Sequence, residues 1–436
     1  MGIESVHPEY LTGIRIWKKC RDVYMGSDAV KDAGKAYLPK LSGQDKDEYN
    51  AYKERALFYS IMSKSISSLI GLAFSTPPTV TRSSDFDYLF IDKSGDQFLE
   101  VMSKALREML ISGRVGWLND RQDGQQAVPI LYKAEAIRNW YVKDNQLQWA
   151  VLEEPVISFE DDDKFKQTAT FQYRHLYLDK DGRYTQQVYD SNGDSVGVPK
   201  LITNAGLPMT YIPFFVANVD GIGFNVTKSP SQDLAEVNLS HYRSSADLEH
   251  GRHYTALPTP VITGVDSSTV LKIGSSTAWA LPSEKANAKY LEFTGQGLKS
   301  LENALVEKAE QLANLSARLI DNSKNGSESP EVVRLRYASE GADLAATMSA
   351  IETLANIGYK SIADMENLDS TGFDIELNKQ FFDARMSFDD LQKLVTTYLS
   401  GGISQETFIF NLKRGEILPP NSDGIGEGQT KNNGDN

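Results

Sequence analysis

Histidines and carboxylates are the side chains of this chain that could supply metal ligands or acid–base catalysts. His250 and His253 lie three residues apart near the end of a predicted helix, with Glu249 beside them. That spacing could hold a metal ion, but the chain has five histidines in total and no H-E-x-x-H motif. Capping or packing therefore explains the pair better, and we predict no metal site.

Sequence motifs for nucleotide binding and for hydrolysis are equally weak. The sequence has no G-x-x-x-x-G-K-[ST] loop, and Asp220-Gly221-Ile222-Gly223 lacks the third glycine of a dinucleotide fingerprint. Nothing marks out an acid–base pair among the 59 acidic residues, although a glycosidase-type pair stays open. We predict that the protein is not an enzyme and has no cofactor, with an acidic hydrolase as an alternative.

Composition limits the remaining functions. A chain of 436 residues with a net charge of −14 and 24% charged residues is typical of a soluble protein with two or three domains. A tight DNA binder usually has a basic face, so the charge disfavours a repressor but allows a conduit past which DNA slides. The single cysteine, Cys20, the absence of a signal peptide and the lack of a long apolar segment predict a cytoplasmic origin and no membrane span.

Periodicity predicts an α+β fold. Apolar residues at threes and fours predict helices over Asp45–Phe74 and about 96–112, the first ended by Thr76-Pro77-Pro78 and the second by Gly113. Short β-branched and aromatic runs predict strands, with turns at Asp181-Gly182 and Ser191–Asp194. The predicted strands are 115–118, 130–132, 147–152 and 168–178.

Three helices separated by two different connectors follow. The first is predicted from Ser229-Pro230 to about His253, with Ser229 as N-cap and Gln232 as its capping-box partner. A β-like insert (258–293) precedes a second helix (298–321), and a polar loop (322–328) precedes a third helix that begins at Ser329-Pro330. Two helices that carry a small module at their far end are typical of a stalk.

The second helix has a narrow leucine seam rather than the broad stripe of a core helix. Such a seam favours contact with one neighbouring helix, and Lys308 fills the position where a leucine is missing. A two-helix hairpin packed inside one subunit is the alternative. The residues that we predict to form subunit contacts are Leu301, Leu305, Lys308, Leu312 and Leu315.

Several blocks of this sequence resemble tailed-bacteriophage portal proteins, the head-to-tail connectors of the virion, over roughly residues 8–420. The most specific block is Ser229–Gly264, SPSQDLAEVNLSHYRSSADLEHGRHYTALPTPVITG. The other blocks are YLPKL at 37–41, YNAYKERA at 49–56, GLAF at 71–74, GRVG at 113–116, SQET at 404–407 and LKRG at 412–415.

This resemblance implies a subunit made of a wing, a stem, a clip and a crown. The wing would be the α+β region 1–228, and the stem helices 229–257 and 298–321 would enclose a clip at 258–297. The tunnel loop would be 322–328, the long wing helix 329–369 and the short helical crown 370–420. Residues 421–436, rich in Gly, Asn, Asp and Glu, are predicted to be disordered.

The resemblance also implies a mechanical function without catalysis. About twelve copies would form a ring at one capsid vertex, built in the host cytoplasm, through which double-stranded viral DNA is packaged and ejected. The partners would be the terminase large subunit, the major capsid and scaffolding proteins, and head-completion or tail adaptor proteins; another virion adaptor role is an alternative. The implied DNA-channel residues are Asn322, Ser323, Lys324, Asn325, Gly326 and Ser327, and the implied clip-docking residues are Thr259, Val261, Thr263, Lys272 and Trp279.

Overall fold

The computed structural model describes residues 2–82, 97–121, 126–160, 163–204, 206–255, 259–264, 287–291, 296–320, 330–379, 381 and 388–414. These residues form helices and antiparallel sheets, which confirms the predicted α+β class. The helices are α1 (Pro8–Met25), α2 (Ser27–Asp32), α3 (Lys46–Arg55), α4 (Ile61–Ala73), α5 (Phe98–Ser112), α6 (Gln232–Thr255), α7 (Gln296–Ile320), α8 (Pro330–Met365), α9 (Phe388–Leu399) and α10 (Gln405–Arg414).

The strands belong to several sheets. In the part of the chain that the structure describes, a five-stranded sheet has the order β4-β5-β6-β7-β8, a four-stranded sheet has the order β12-β11-β2-β3, and three further sheets have two strands each. The strands are β1 (Thr79–Thr81), β2 (Arg114–Asp120), β3 (Val128–Lys133), β4 (Ile137–Lys143), β5 (Gln146–Glu160), β6 (Asp163–Leu178), β7 (Tyr184–Tyr189), β8 (Ser195–Leu201), β9 (Thr203–Asn204), β10 (Leu207–Pro208), β11 (Phe214–Asn218), β12 (Gly221–Ile222), β13 (Thr259–Thr263), β14 (Asn287–Leu291) and β15 (Asp374–Glu376).

The helix predicted over Asp45–Phe74 is in fact two helices, α3 and α4, and this part of the prediction is wrong. Ala56 adopts an extended conformation after α3. The backbone of the linker is then bonded to side chains of α6: the Leu57 amide donates to Ser245 Oγ (3.2 Å), and the Tyr59 carbonyl accepts from Asn238 Nδ2 (3.0 Å). Tertiary hydrogen bonds therefore replace the helical ones that periodicity predicts.

Turn chemistry positions the next elements as predicted. Gly113 ends α5 in the left-handed conformation (φ 75°), and its amide donates to the Met109 carbonyl. A Cβ at this position would lie 3.0 Å from the Lys228 carbonyl oxygen, so glycine also allows the start of α6 to approach closely. Gly182 and Gly193 take positive φ between β6 and β7 and between β7 and β8, which confirms both predicted turns.

The long helix α8 crosses the four-stranded sheet and lies in the centre of the core. A Cβ on Gly358 would lie 2.5 Å from Trp117 Nε1, so the indole packs directly on the helix backbone. Trp117 donates to Asn119 Oδ1 (2.6 Å), and Asn119 donates to the Gly358 carbonyl (2.8 Å). Every polar atom of this buried contact is thus bonded, as burial requires.

One boundary predicted from the sequence falls too early. Strand β15, inside the segment 370–420 assigned to the crown, pairs with β1. Phe373, Ile375 and Leu377 also belong to the main hydrophobic core. Helices α9 and α10 pack on each other, and Tyr398 stacks on Phe408 at 4.3 Å between them.

Candidate functional site: the paired helices and their β insert

The start of α6 is attached to α5 rather than capped as predicted. Ser229 Oγ donates to the Ile111 carbonyl (2.7 Å) and accepts from the Ser231 amide (3.2 Å). The helix begins at Gln232, and the Ala235 amide donates to the Ser231 carbonyl. The predicted capping box of Ser229 and Gln232 is therefore wrong, because the Ser229 hydroxyl is used to bond the neighbouring helix.

Helix α6 is buried on most of its circumference, which is unusual for an isolated stalk. Its buried polar residues include Asn238, His241, Ser244 and Ser245. Burial, and then the nearby Lys308 ammonium, lowers the pKa of His241, so its neutral form is favoured. Near the far end of the helix Tyr52 donates to Asp247 (2.5 Å). These contacts hold α6 firmly in the body of the subunit.

Helices α6 and α7 run antiparallel, as their polar contacts show. Lys308 of α7 donates to the Ser240 carbonyl (3.4 Å) and to Ser244 Oγ, both on α6. Near the far end of the pair, Arg252 of α6 bridges Glu302 of α7 at 2.9 Å. The lysine that interrupts the leucine seam is therefore satisfied by the partner helix within the same chain.

The seam itself packs mainly against the same chain. Helix α7 contacts α6, α4 and α8, and Leu312 is fully buried. Leu312 has no surface left for a second copy, so its predicted subunit contact is corrected to an intrachain one. Leu301, Leu305 and Leu315 are half-buried, and their contact with another subunit stays a prediction.

The insert between the two helices contains a hairpin. Strand β13 pairs antiparallel with β14, from Thr259 opposite Leu291 to Thr263 opposite Asn287. Val261 and Thr263 lie two residues apart along β13 and therefore share one face, and Thr259 is the first residue of the same strand. Lys272 and Trp279 lie outside the described residues, so the predicted docking surface is seen here only in part.

The predicted tunnel loop lies outside the described residues. Helix α7 is described to Ile320 and α8 begins at Pro330, and the six channel residues 322–327 fall between them. Pro330 stands at the first helical position, as predicted, where its missing amide costs nothing.

Arg114 is the charged residue that sequence reasoning missed. It lies at the start of β2, is fully buried, and its guanidinium has no hydrogen-bond partner among the described residues. The group stacks on Trp140 at 4.2 Å and lies 6.0 Å from Trp17. Burial lowers the pKa of Arg114 to about 9, against the opposing effect of the Glu9 carboxylate. No sequence pattern predicts that an arginine at this position is buried.

Within the described residues, the side chains that the sequence offers for chemistry do not come together as a metal or nucleotide site. Glu249 bonds Arg252 at 2.9 Å, and no group of three metal-ligating side chains occurs within the described residues. Gly221 is the first residue of β12, and the next helix begins only at Gln232, unlike in a dinucleotide loop, where a helix follows the glycines directly. None of the helices in the described part of the chain has the length and apolar character of a membrane span.

Comparisons with known proteins give one family model and several remote structures. A model described as a domain of unknown function, DUF4055, matches residues 230–362, which include α6, the insert, α7 and most of α8. A solved virion of a native gene transfer agent (GTA) particle is similar with a TM-score of 0.43 and 13% identity, over 89% of this chain and 99% of that chain.

Two solved necks of GTA particles are similar to the same degree. The neck of the native particle, computed with C12 symmetry, has a TM-score of 0.42 and 12% identity over 88% of this chain and 98% of that one. The neck of the empty particle, computed with C6 symmetry, has a TM-score of 0.42 and 14% identity over the same shares. No curated protein matches the chain. Such low values do not establish a shared function, which is therefore inferred below from the chain's own elements.

Proposed function

We propose that this chain is the subunit of a portal, a ring of about twelve identical copies at one vertex of a phage-type capsid. The observation that carries the proposal is the antiparallel pair α6–α7 with the β13–β14 hairpin at its far end. An α+β body precedes α6 in the chain, and the 36-residue helix α8, which follows α7, crosses that body. This order of elements is the wing, stem, clip and long helix that the sequence resemblance implies.

In this proposal the protein acts mechanically and supplies no catalytic group. Helices of 24 and 25 residues, each roughly 36 Å long, form the stem around the DNA channel. The β13–β14 insert, with Thr259, Val261 and Thr263, docks the terminase large subunit during filling and head-completion or tail proteins afterwards. The wing contacts the major capsid and scaffolding proteins. ATP hydrolysis belongs to the terminase, and the net charge of −14 keeps DNA from adhering.

The loop 322–327 is proposed to touch the passing DNA. Lys324, repeated around the ring, is a weak and salt-screened phosphate contact that damps backward slippage. Deleting residues 322–327 should leave ring assembly intact and reduce the amount of genome that filled heads retain. Normal filling and retention in that variant would contradict this role.

Native mass spectrometry of the purified protein tests the proposal. Twelve chains of 48.4 kDa have a mass of about 580 kDa, and any closed ring has a mass close to an integer multiple of the subunit. A compact dimer or tetramer as the largest species would contradict the portal assignment. Hydrolysis of polysaccharide substrates by the same preparation, lost on a single Asp or Glu substitution, would instead support the hydrolase alternative.

A further inference from the structure

A cleft lies where the start of α6 meets the body of the subunit. Its volume is about 400 Å³, which falls within the usual range of small-molecule sites. Helices α4, α5 and α8, the first turn of α6, the segment just before α6 and the loop between β11 and β12 all line it. We call this space the junction cleft.

The floor of the junction cleft is apolar. Three almost completely buried leucines line it: Leu69, Leu110 and Leu344. Two buried hydroxyls also line the cleft, but both already have partners. Ser229 Oγ donates to the Ile111 carbonyl (2.7 Å), and Thr347 Oγ donates to the Asp343 carbonyl (2.9 Å). The floor therefore favours contact with a hydrocarbon chain rather than with a polar group.

Charged side chains form the rim of the cleft. Asp220, Asp233, Asp343 and Lys228 all line it and are exposed. Lys228 pairs with Asp233 at 2.8 Å. The carboxylates of Asp220 and Asp343 have no hydrogen-bond or ion-pair partner among the described residues. Three carboxylates and one ammonium give the rim a formal charge of −2, and two of the carboxylates are free to bind a cation.

The spread of these charges favours an extended cation over a metal ion. Within the described residues, no group of three acidic, histidine or cysteine side chains could hold a metal, so the rim carboxylates do not converge on one point as a metal site requires. Asp220 follows β11, whereas Asp343 belongs to α8. A molecule with two separated ammonium groups matches both the charge of the rim and its distribution.

The size of the cleft favours a small molecule over a protein segment. A stable protein–protein interface takes roughly 20–30 residues on each side, which is more than the cleft provides. An alkyl chain between two ammonium groups can lie on apolar side chains while its charged ends stay at the solvent, as the stem of a lysine does. A short aliphatic diamine has this shape.

We propose that the junction cleft binds a small aliphatic diamine. Its hydrocarbon chain lies on the three leucines, and its two ammonium groups contact Asp220 and Asp343. The ion pair of Lys228 and Asp233 stays intact beside it. The ligand contacts the β11–β12 loop and α8 together, so binding stabilises the folded subunit. One chain contains the complete cleft, and the inference does not depend on the proposed ring.

Isothermal titration calorimetry of the wild-type protein at low salt tests the proposal. The probe is putrescine, and the matched control ligand is butylamine, which has the same carbon chain and a single amino group. Putrescine should bind about three- to fivefold more tightly than butylamine, because its second ammonium group adds one exposed ionic contact. Added salt should weaken putrescine binding, since both contacts lie at the solvent.

Two variants remove the two halves of the site. Asp220→Asn/Asp343→Asn removes both free carboxylates and should bind putrescine about tenfold more weakly. Ala346→Leu enlarges an exposed side chain that lines the cleft and should block both amines, although every charge remains. The matched controls Asp194→Asn and Ala309→Leu make the same changes at exposed positions outside the cleft and should bind putrescine like the wild type. All variants should keep the wild-type unfolding midpoint without ligand.

Several results would overturn the diamine site. They are equal affinities for putrescine and butylamine, unchanged putrescine binding in either cleft variant, and displacement of putrescine by an equal concentration of magnesium chloride. Absence of amine binding to the wild type would also overturn it, and a lower oligomer mass of Ala346→Leu would then assign the cleft to a second copy of the chain. None of these results bears on the ring mass that tests the portal assignment.

Discussion

Replacing Arg114 by methionine should stabilise the protein, although it removes a buried side chain of β2. Burial lowers the pKa of Arg114 from 12.5 to about 9, and each pKa unit corresponds to 1.36 kcal/mol, so the desolvation of the charge costs up to about 5 kcal/mol. Stacking of the guanidinium on Trp140 offsets up to about 2 kcal/mol of this desolvation cost. Methionine fills a similar volume without a charge, and we expect the free energy of unfolding to rise by about 1–3 kcal/mol.

Urea unfolding of the monomer, followed by tryptophan fluorescence at one protein concentration, measures this change. The control Arg114→Lys keeps a charge but loses the planar stacking on Trp140, so it should be less stable than the wild type. Trp140→Leu should also destabilise, because it removes the aromatic face that the guanidinium contacts. A loss of more than about 1 kcal/mol in Arg114→Met would refute the reasoning, since it would mean that the charge is paired after all.

Three further predictions concern single side chains. Leu312→Ala should lower the free energy of unfolding by about 2–5 kcal/mol, whereas Val306→Ala, on the exposed side of α7, should change it by less than about 0.5 kcal/mol; equal effects in denaturant titrations would contradict the packing of α7. Burial lowers the pKa of His175 to about 4, so the unfolded chain binds this proton first and stability should fall by up to about 3 kcal/mol from pH 6.5 to 4. His175→Phe should flatten that slope, and an unchanged slope would exclude His175 as its source. Gly358→Ala should cost about 1–3 kcal/mol, because its Cβ would lie 2.5 Å from Trp117; an unchanged thermal midpoint would show that the indole can move.

Local sequence signals predicted much of the fold because they act within a few residues. Three kinds of feature could be predicted from the sequence, since each conformation is decided locally. They are the glycine that ends α5, the two glycine turns of the five-stranded sheet and the proline that begins α8. The break between α3 and α4 could not be predicted from the sequence. It depends on Ser245 and Asn238 of α6, which lie nearly two hundred residues away along the chain.

The candidate site likewise combines features that the sequence predicts with features that it does not. The order helix, β insert, helix was predictable from periodicity, but the partner of the leucine seam was not, because one helical stripe fits a neighbour in the same chain or in another. Lys308 illustrates this: its role became clear only once Ser240 and Ser244 were seen beside it. The role of Arg114 depends on its burial against Trp140, which residue type alone does not predict.

End-on electron-microscope images of the negatively stained wild-type protein test the central claim most directly. The account predicts round particles with rotational symmetry of about twelve-fold order and a central channel wide enough to admit duplex DNA. Uniform particles without a central hole, at any mass, would contradict the portal assignment.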